Sequence, residues 1–256
     1  DTAVKAFQSA YVKHGGEKAF FEHYFSQKEA YKQNPSEKYP FFSIIQSSGY
    51  GKSRLMKHLP AYLSNNEHGK DAPRIIYLSF AATGAYPGSN VTIESTLELQ
   101  GRNVVEAAFV QLFDMALLSS QAASVGEPKF HLSQIPVKSG DGFSEGVDLA
   151  RMNVLFIIDE VSQLLLKHAD EQVDFFRCFR KASKRYNAQR PESFFVLLST
   201  YSSMNHLMPG RYFDPSRKIF WGKEEVLEPM PPFLLHHAIG VRNDHEGILA
   251  ESVNGC

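Results

Sequence analysis

Phe41-Phe42-Ser43-Ile44-Ile45-Gln46-Ser47-Ser48-Gly49-Tyr50-Gly51-Lys52-Ser53 is the stretch on which the reading of this chain turns. The turn signal Asn34-Pro35-Ser36 precedes it, and Tyr39 to Ile45 is a short apolar run of the kind that forms a strand buried on both faces. A polar loop with two glycines follows. From Lys52 to Leu63 the residues Leu55, Leu59 and Leu63 share one helical face, and Asn65, Asn66 and Gly69 close that helix. Strand, glycine loop and helix in this order make a phosphate cradle. Gly49 and Gly51 allow backbone angles closed to other residues, so that successive N–H groups converge on phosphate oxygens. Ser47, Ser48, Tyr50 and Arg54 complete the expected contact set. Lys52 is expected against the β- and γ-phosphates, Ser53 is expected to give its hydroxyl to Mg²⁺, and the helix start adds its positive dipole end. The pattern G-x-x-x-x-G-K-[ST] is met except at its first position, where Gln46 stands. The competing reading is a surface turn with an ordinary helix-starting lysine.

A second motif lies about a hundred residues on. Val154-Leu155-Phe156-Ile157-Ile158 is an unbroken apolar run ending in Asp159-Glu160. A buried strand that emerges there delivers two carboxylates to the carboxyl edge of the sheet, the edge that receives the glycine loop. Asp159 is expected to hold Mg²⁺ mostly through water, and Glu160 to orient or deprotonate a water that attacks the γ-phosphate. The bland alternative is a pair of acids at the start of a helix from Val161.

Working outward, the first thirty-odd residues read as helical, from Val4, Phe7, Ala10 and Tyr11 and then from Glu17 to Gln33. Ile75 to Phe80 reads as a strand leaving into a loop, Ala81 to Asn90. Val104 to Leu118 reads as a helix that is apolar nearly all round. Val161 to Tyr186 reads as one long helix, Phe194 to Ser199 as a further strand, and Phe233 to Val241 as a short helix after a proline-broken tail. Strands alternating with helices, each strand a nearly unbroken apolar run, predict an α/β fold with a mainly parallel sheet covered on both faces. The expected division is a helical N-terminal extension over 1–36, a core over 37–233 with a flexible insertion at 119–150 and an irregular tail from Met208 broken by Pro209, Pro215, Pro229, Pro231 and Pro232, and a C-terminal segment over 234–256 leading to a missing or separate domain.

Bulk composition narrows the class without deciding it. The chain has 256 residues, 43% of them hydrophobic and 20 of them Phe, enough for one substantial core. Acids and bases nearly cancel to a formal charge of -1, so no global field marks a binder of nucleic acid or membrane, although a local basic face is compatible with that balance. Two cysteines, Cys178 and Cys256, make neither a disulfide framework nor a metal-ligand set, which fits a reducing compartment. No apolar run approaches the ~20 residues of a membrane helix. The chain begins at Asp1, which points to an excised or processed form.

Taken together, Ser47-Ser48-Gly49-Tyr50-Gly51-Lys52-Ser53-Arg54-Leu55, Ile158-Asp159-Glu160, Leu197-Leu198-Ser199-Thr200, Pro209, Ser216-Arg217 and Pro231-Pro232-Phe233 resemble the additional-strand P-loop NTPases, the group that includes AAA+ and STAND proteins. Within it the chain looks like the NTPase region of Crinkler-type and retrotransposon-hot-spot-like proteins. The resemblance implies a three-layer P-loop NTPase fold in which an added strand lies between the two motif strands. On that strand Ser199 and Thr200 would present polar groups near the γ-phosphate, and Arg217, with Arg211 beside it, would supply an arginine to the phosphates. It further implies ATP or GTP with Mg²⁺, slow hydrolysis used as a switch or in assembly, and a cytoplasmic or nuclear protein whose full-length form is secreted into a host if Crinkler-like. Expected partners are the nucleotide, another copy of the chain, and nucleic acid or a host protein reached through a domain outside this chain, with no membrane. A non-hydrolysing nucleotide-binding module and a P-loop kinase are the alternatives.

Overall fold

The computed structural model describes residues 16–36, 38–45, 52–65, 72–81, 89–93, 101–121, 129–132, 152–165, 174–199 and 233. The elements in chain order are α1 (Gly16–Gln33), β1 (Phe41–Ile45), α2 (Lys52–Asn65), β2 (Arg74–Ser79), β3 (Val91–Thr92), α3 (Arg102–Gln121), β4 (Phe130–His131), β5 (Val154–Asp159), a 3₁₀ turn (Val161–Leu165), α4 (Phe175–Gln189) and β6 (Ser193–Ser199). The α/β expectation is met. Four strands form one parallel sheet in the order β1-β6-β5-β2, so the last strand in the chain, β6, lies between β1 and β5.

Position in that order explains the strand compositions. β5 and β6 are interior, are buried at every residue, and consist of apolar runs without alternation. β2 is an edge strand, and its burial is graded from an exposed Arg74 to a buried Ser79. Successive side chains leave opposite faces. Phe156, Ile158, Phe195 and Leu197 pack with α3 and α4, whereas Leu155, Ile157, Phe194, Val196 and Leu198 pack with α1 and α2. Helix α1 contributes Phe20, Phe21, Tyr24 and Tyr31 to the second of these cores, with edge-to-face contacts from Tyr24 and Tyr31 to Phe194.

Helix α4 owes its amphipathic build to the other core. Phe175, Phe179, Ala182 and Tyr186 face inward, while Lys181 is exposed and Arg177, Lys184 and Arg185 are half-buried. Cys178 lies buried in this helix, and burial, with Asp174 and Glu106 nearby, pushes its thiol up to about 11. It is therefore an inert core thiol at neutral pH.

Two expectations are corrected, and a third region, 119–150, gains a few described residues. The helix read as continuous from Val161 to Tyr186 is two elements, because Asp174 adopts an extended backbone (φ -89, ψ 99) and its carboxylate accepts the Arg177 N–H at 2.8 Å, starting α4 afresh. The region read as a flexible insertion at 119–150 holds the end of α3, which runs to Gln121, and β4, which pairs in parallel with β3. Phe233, read as a helix start, instead makes a parallel bridge to Ile44, its N–H donating to the Ser43 carbonyl at 2.9 Å on the outer edge of β1. The helix expected around Val4 to Tyr11, the remainder of the tail and the rest of the 119–150 region lie outside the described residues.

Candidate functional site

Helix α2 opens with Lys52 and Ser53 directly after the glycine loop, and β5 closes with Asp159. Alternation along β5 gives Asp159 the parity of Leu155 and Ile157, the α2 side of the sheet, and this lets the two motifs meet. The Ser53 hydroxyl donates to Asp159 Oδ2 at 2.9 Å, across 106 residues of chain. The other carboxylate oxygen, Oδ1, accepts the backbone N–H of Glu160 at 2.9 Å. Asp159 is only 4% exposed, and hydrogen bonds to an ionised acceptor contribute about 1.5–3 kcal/mol each, which offsets the cost of holding that carboxylate out of water.

Lys52 is 8% exposed. Burial pushes its pKa below the usual lysine value, and the charges of Asp159 and Glu160 oppose that fall. A desolvated ammonium beside two carboxylates is a site where electrostatic interactions act at low dielectric.

Glu160 carries a positive φ of 52, a left-handed backbone that side-chain-bearing residues adopt at a cost of about 1–3 kcal/mol. The conformation turns the chain sharply off the strand: Gln163 N–H donates to the Glu160 carbonyl at 3.0 Å and the 3₁₀ turn begins. The Ser162 hydroxyl donates to Glu160 Oε2 at 3.2 Å. The strained residue is therefore the one that sequence reasoning singled out as the water-activating acid.

Of the residues singled out from sequence, the structure brings Lys52, Ser53, Asp159 and Glu160 to one end of the sheet. Arg54 follows in the first turn of α2 and is partly buried. Ser199 ends β6 at the same edge, fully buried, and its parity is that of Phe195 and Leu197, on the α3–α4 side rather than the side of Asp159. Ser47, Ser48, Gly49, Tyr50 and Gly51, with Gln46, and also Thr200, Arg211 and Arg217, lie outside the described residues. Sequence reasoning missed Tyr77 on β2, whose hydroxyl also hydrogen-bonds to Asp159 Oδ2. An aromatic inside an apolar strand carries no signal of this kind until its pairing register is known.

The donor set suits a hard cation. A hydroxyl and a carboxylate are oxygen ligands of the type Mg²⁺ takes, one or two from the protein and the rest from phosphate and water. Among the described residues there is no group of three His, Cys, Asp or Glu side chains that would hold a metal ion unaided. No described helix is long and apolar enough to cross a membrane. Comparison of the chain with protein-family models, with curated proteins and with solved structures found no match.

Proposed function

We propose that this chain is a Mg²⁺-dependent nucleoside triphosphatase of the additional-strand P-loop group, a three-layer P-loop NTPase fold that binds ATP or GTP and hydrolyses it slowly as a switch or assembly module. One observation carries the reading: the Ser53 hydroxyl at the start of α2 meets Asp159 at the tip of β5, with β6 inserted between the strands that carry the two motifs. A surface turn with an ordinary lysine gives no reason for Lys52 to be buried beside two acids at the far end of a different strand.

In this reading the loop from Ser47 to Gly51 wraps the β- and γ-phosphates with its amides, and Lys52 neutralises their charge. Ser53 and Asp159 would hold the cation, Asp159 mostly through water, and it would supply positive charge to offset that of the phosphates. Glu160 takes the proton of the attacking water, and leaving Ser162 frees its carboxylate for that role. Thr200 and Arg217 are kept in this reading as contacts to the γ-phosphate, whereas Ser199, buried on the α3–α4 side of the sheet, is not. A homo-oligomer, a host protein and nucleic acid are proposed partners of the longer protein only.

The test is a pair of variants. Lys52→Ala abolishes nucleotide binding, whereas Glu160→Gln retains binding and lowers phosphate release by about 10²–10⁴-fold. Full binding and turnover in both variants excludes this mechanism. Binding without phosphate release in the unmodified chain selects the non-hydrolysing module, and turnover that requires an added acceptor selects a kinase.

A further inference from the structure

Asp159 is gripped from three directions, and one of the three groups belongs to no motif. β2 pairs with β5 in parallel, with Tyr77 opposite Ile157 and Ser79 opposite Asp159. Tyr77 and Ile157 share the α2 side of the sheet, so the Tyr77 side chain reaches up the strand to the carboxylate on the same face. There its hydroxyl and that of Ser53 both end on Oδ2, while the Glu160 N–H ends on Oδ1. A carboxylate has about four lone-pair sites, so these three donors fix its rotation and leave one site, on Oδ1, for a further donor.

The strand that carries Tyr77 is itself held at the free edge of the sheet. The Asn90 side-chain amide donates to the Tyr77 carbonyl at 2.8 Å and its oxygen accepts the Ser79 N–H at 2.7 Å, while the Asn90 N–H donates to the Ser79 carbonyl at 3.2 Å, so Asn90 supplies three of the hydrogen bonds that a neighbouring strand would make there.

We propose that Tyr77 is a positioning residue of the metal site: its hydroxyl holds the Asp159 carboxylate in the orientation that receives the Ser53 hydroxyl and a Mg²⁺-bound water. The inference rests on the NTPase reading above and adds a residue to it. Groups that hydrogen-bond a metal-binding carboxylate from behind set metal affinity, and losing one typically costs about 10–100-fold in that affinity or in activity.

The experiment is binding of a fluorescent non-hydrolysable ATP or GTP analogue to the whole chain, titrated with Mg²⁺ and repeated in EDTA, for the unmodified protein and Tyr77→Phe. The expected result is a Mg²⁺ midpoint raised about tenfold and analogue affinity in EDTA unchanged, and in a parallel assay with ATP or GTP itself phosphate release that recovers at saturating Mg²⁺. Asn90→Ala keeps every partner of Asp159 but loosens the strand edge behind Tyr77, and moves the midpoint the same way by a smaller factor. If the analogue binds and neither variant moves the midpoint, the inference about Tyr77 is overturned while the nucleotide reading stands; a fall in melting temperature alone counts with that result. If the unmodified chain binds no analogue, the nucleotide reading fails and takes Tyr77 with it.

Discussion

The two ends of the same parallel sheet both hold buried charge, and they treat it differently. Where the strands begin, two sets of buried charges pair with their opposites. Lys28 lies 2.8 Å from Glu192 Oε2 and donates to Asn153 Oδ1 at 2.7 Å, and Lys32 adds a second contact to Glu192 at 3.0 Å. One core away, Arg190 donates through Nε and Nη2 to Asp114 Oδ1 at 3.2 and 2.9 Å, with the Tyr186 hydroxyl on the same oxygen. Where the strands end, the acids are held by hydroxyls and a backbone amide, and the neighbouring ammonium is left with a lowered pKa. Opposite charges pair directly at one end, and hydroxyls and a backbone amide hold the acids at the other. The first arrangement ties helices to strands, and the second is the place where the proposed function puts a polyanion with its cation.

The strongest way to break this comparison acts on the starting edge. Arg190→Ala leaves the Asp114 carboxylate, 4% exposed, without its cation, and is expected to lower stability by about 3–5 kcal/mol in chemical denaturation. The double variant Asp114→Leu with Arg190→Met removes both charges and is expected to recover most of that loss, because an apolar pair of similar bulk bears no desolvation cost. Nucleotide-analogue affinity should be unchanged in whatever fraction remains folded. A change in affinity larger than the change in folded fraction would mean that the two ends are coupled and the division drawn above is wrong.

How much of this was readable beforehand follows from where each signal resides. The central strands announced themselves, since Val154 to Ile158 and Phe194 to Ser199 are apolar without alternation and only a strand covered on both faces needs that. The meeting of Ser53 with Asp159 was legible too, because a loop after one parallel strand and acids at the tip of another must share an edge. Strand order is not written in any run, so β6 between β1 and β5 came as an implication of resemblance and not of pattern. Tyr77 was illegible because its role depends on pairing with Ile157, a fact about two strands. Val161 to Tyr186 was over-read as one helix: Val161, Leu164 and Phe175 keep a helical spacing, and the extended backbone at Asp174 wins locally by capping a new start. β4 is two residues long and is defined by its partner β3, so no periodicity within 119–150 could reveal it.

A gentler perturbation sharpens the comparison by loosening α1 alone. Lys28→Met keeps the aliphatic stem and removes the ammonium shared by Asn153 and Glu192, and is expected to cost roughly 2 kcal/mol, with Tyr24 still donating to Asn153 Oδ1 at 3.0 Å. Acid should imitate it in part. Burial alone would raise the Glu192 pKa, but hydrogen bonds from Lys28 and Lys32 and their charges outweigh it, and the net shift is downward from 4.5. A folded pKa below the unfolded one means that the unfolded chain binds the proton more tightly. The stabilisation is therefore complete above pH 4.5 and is lost as pH falls from there through the folded value. In the Lys28→Met chain that acid-dependent loss should be smaller, because one of the two lysines that depress Glu192 is gone. Melting curves of both proteins between pH 3 and pH 6 measure the difference, and identical slopes would show that Lys28 does not hold Glu192 ionised and that Lys32 alone lowers its pKa.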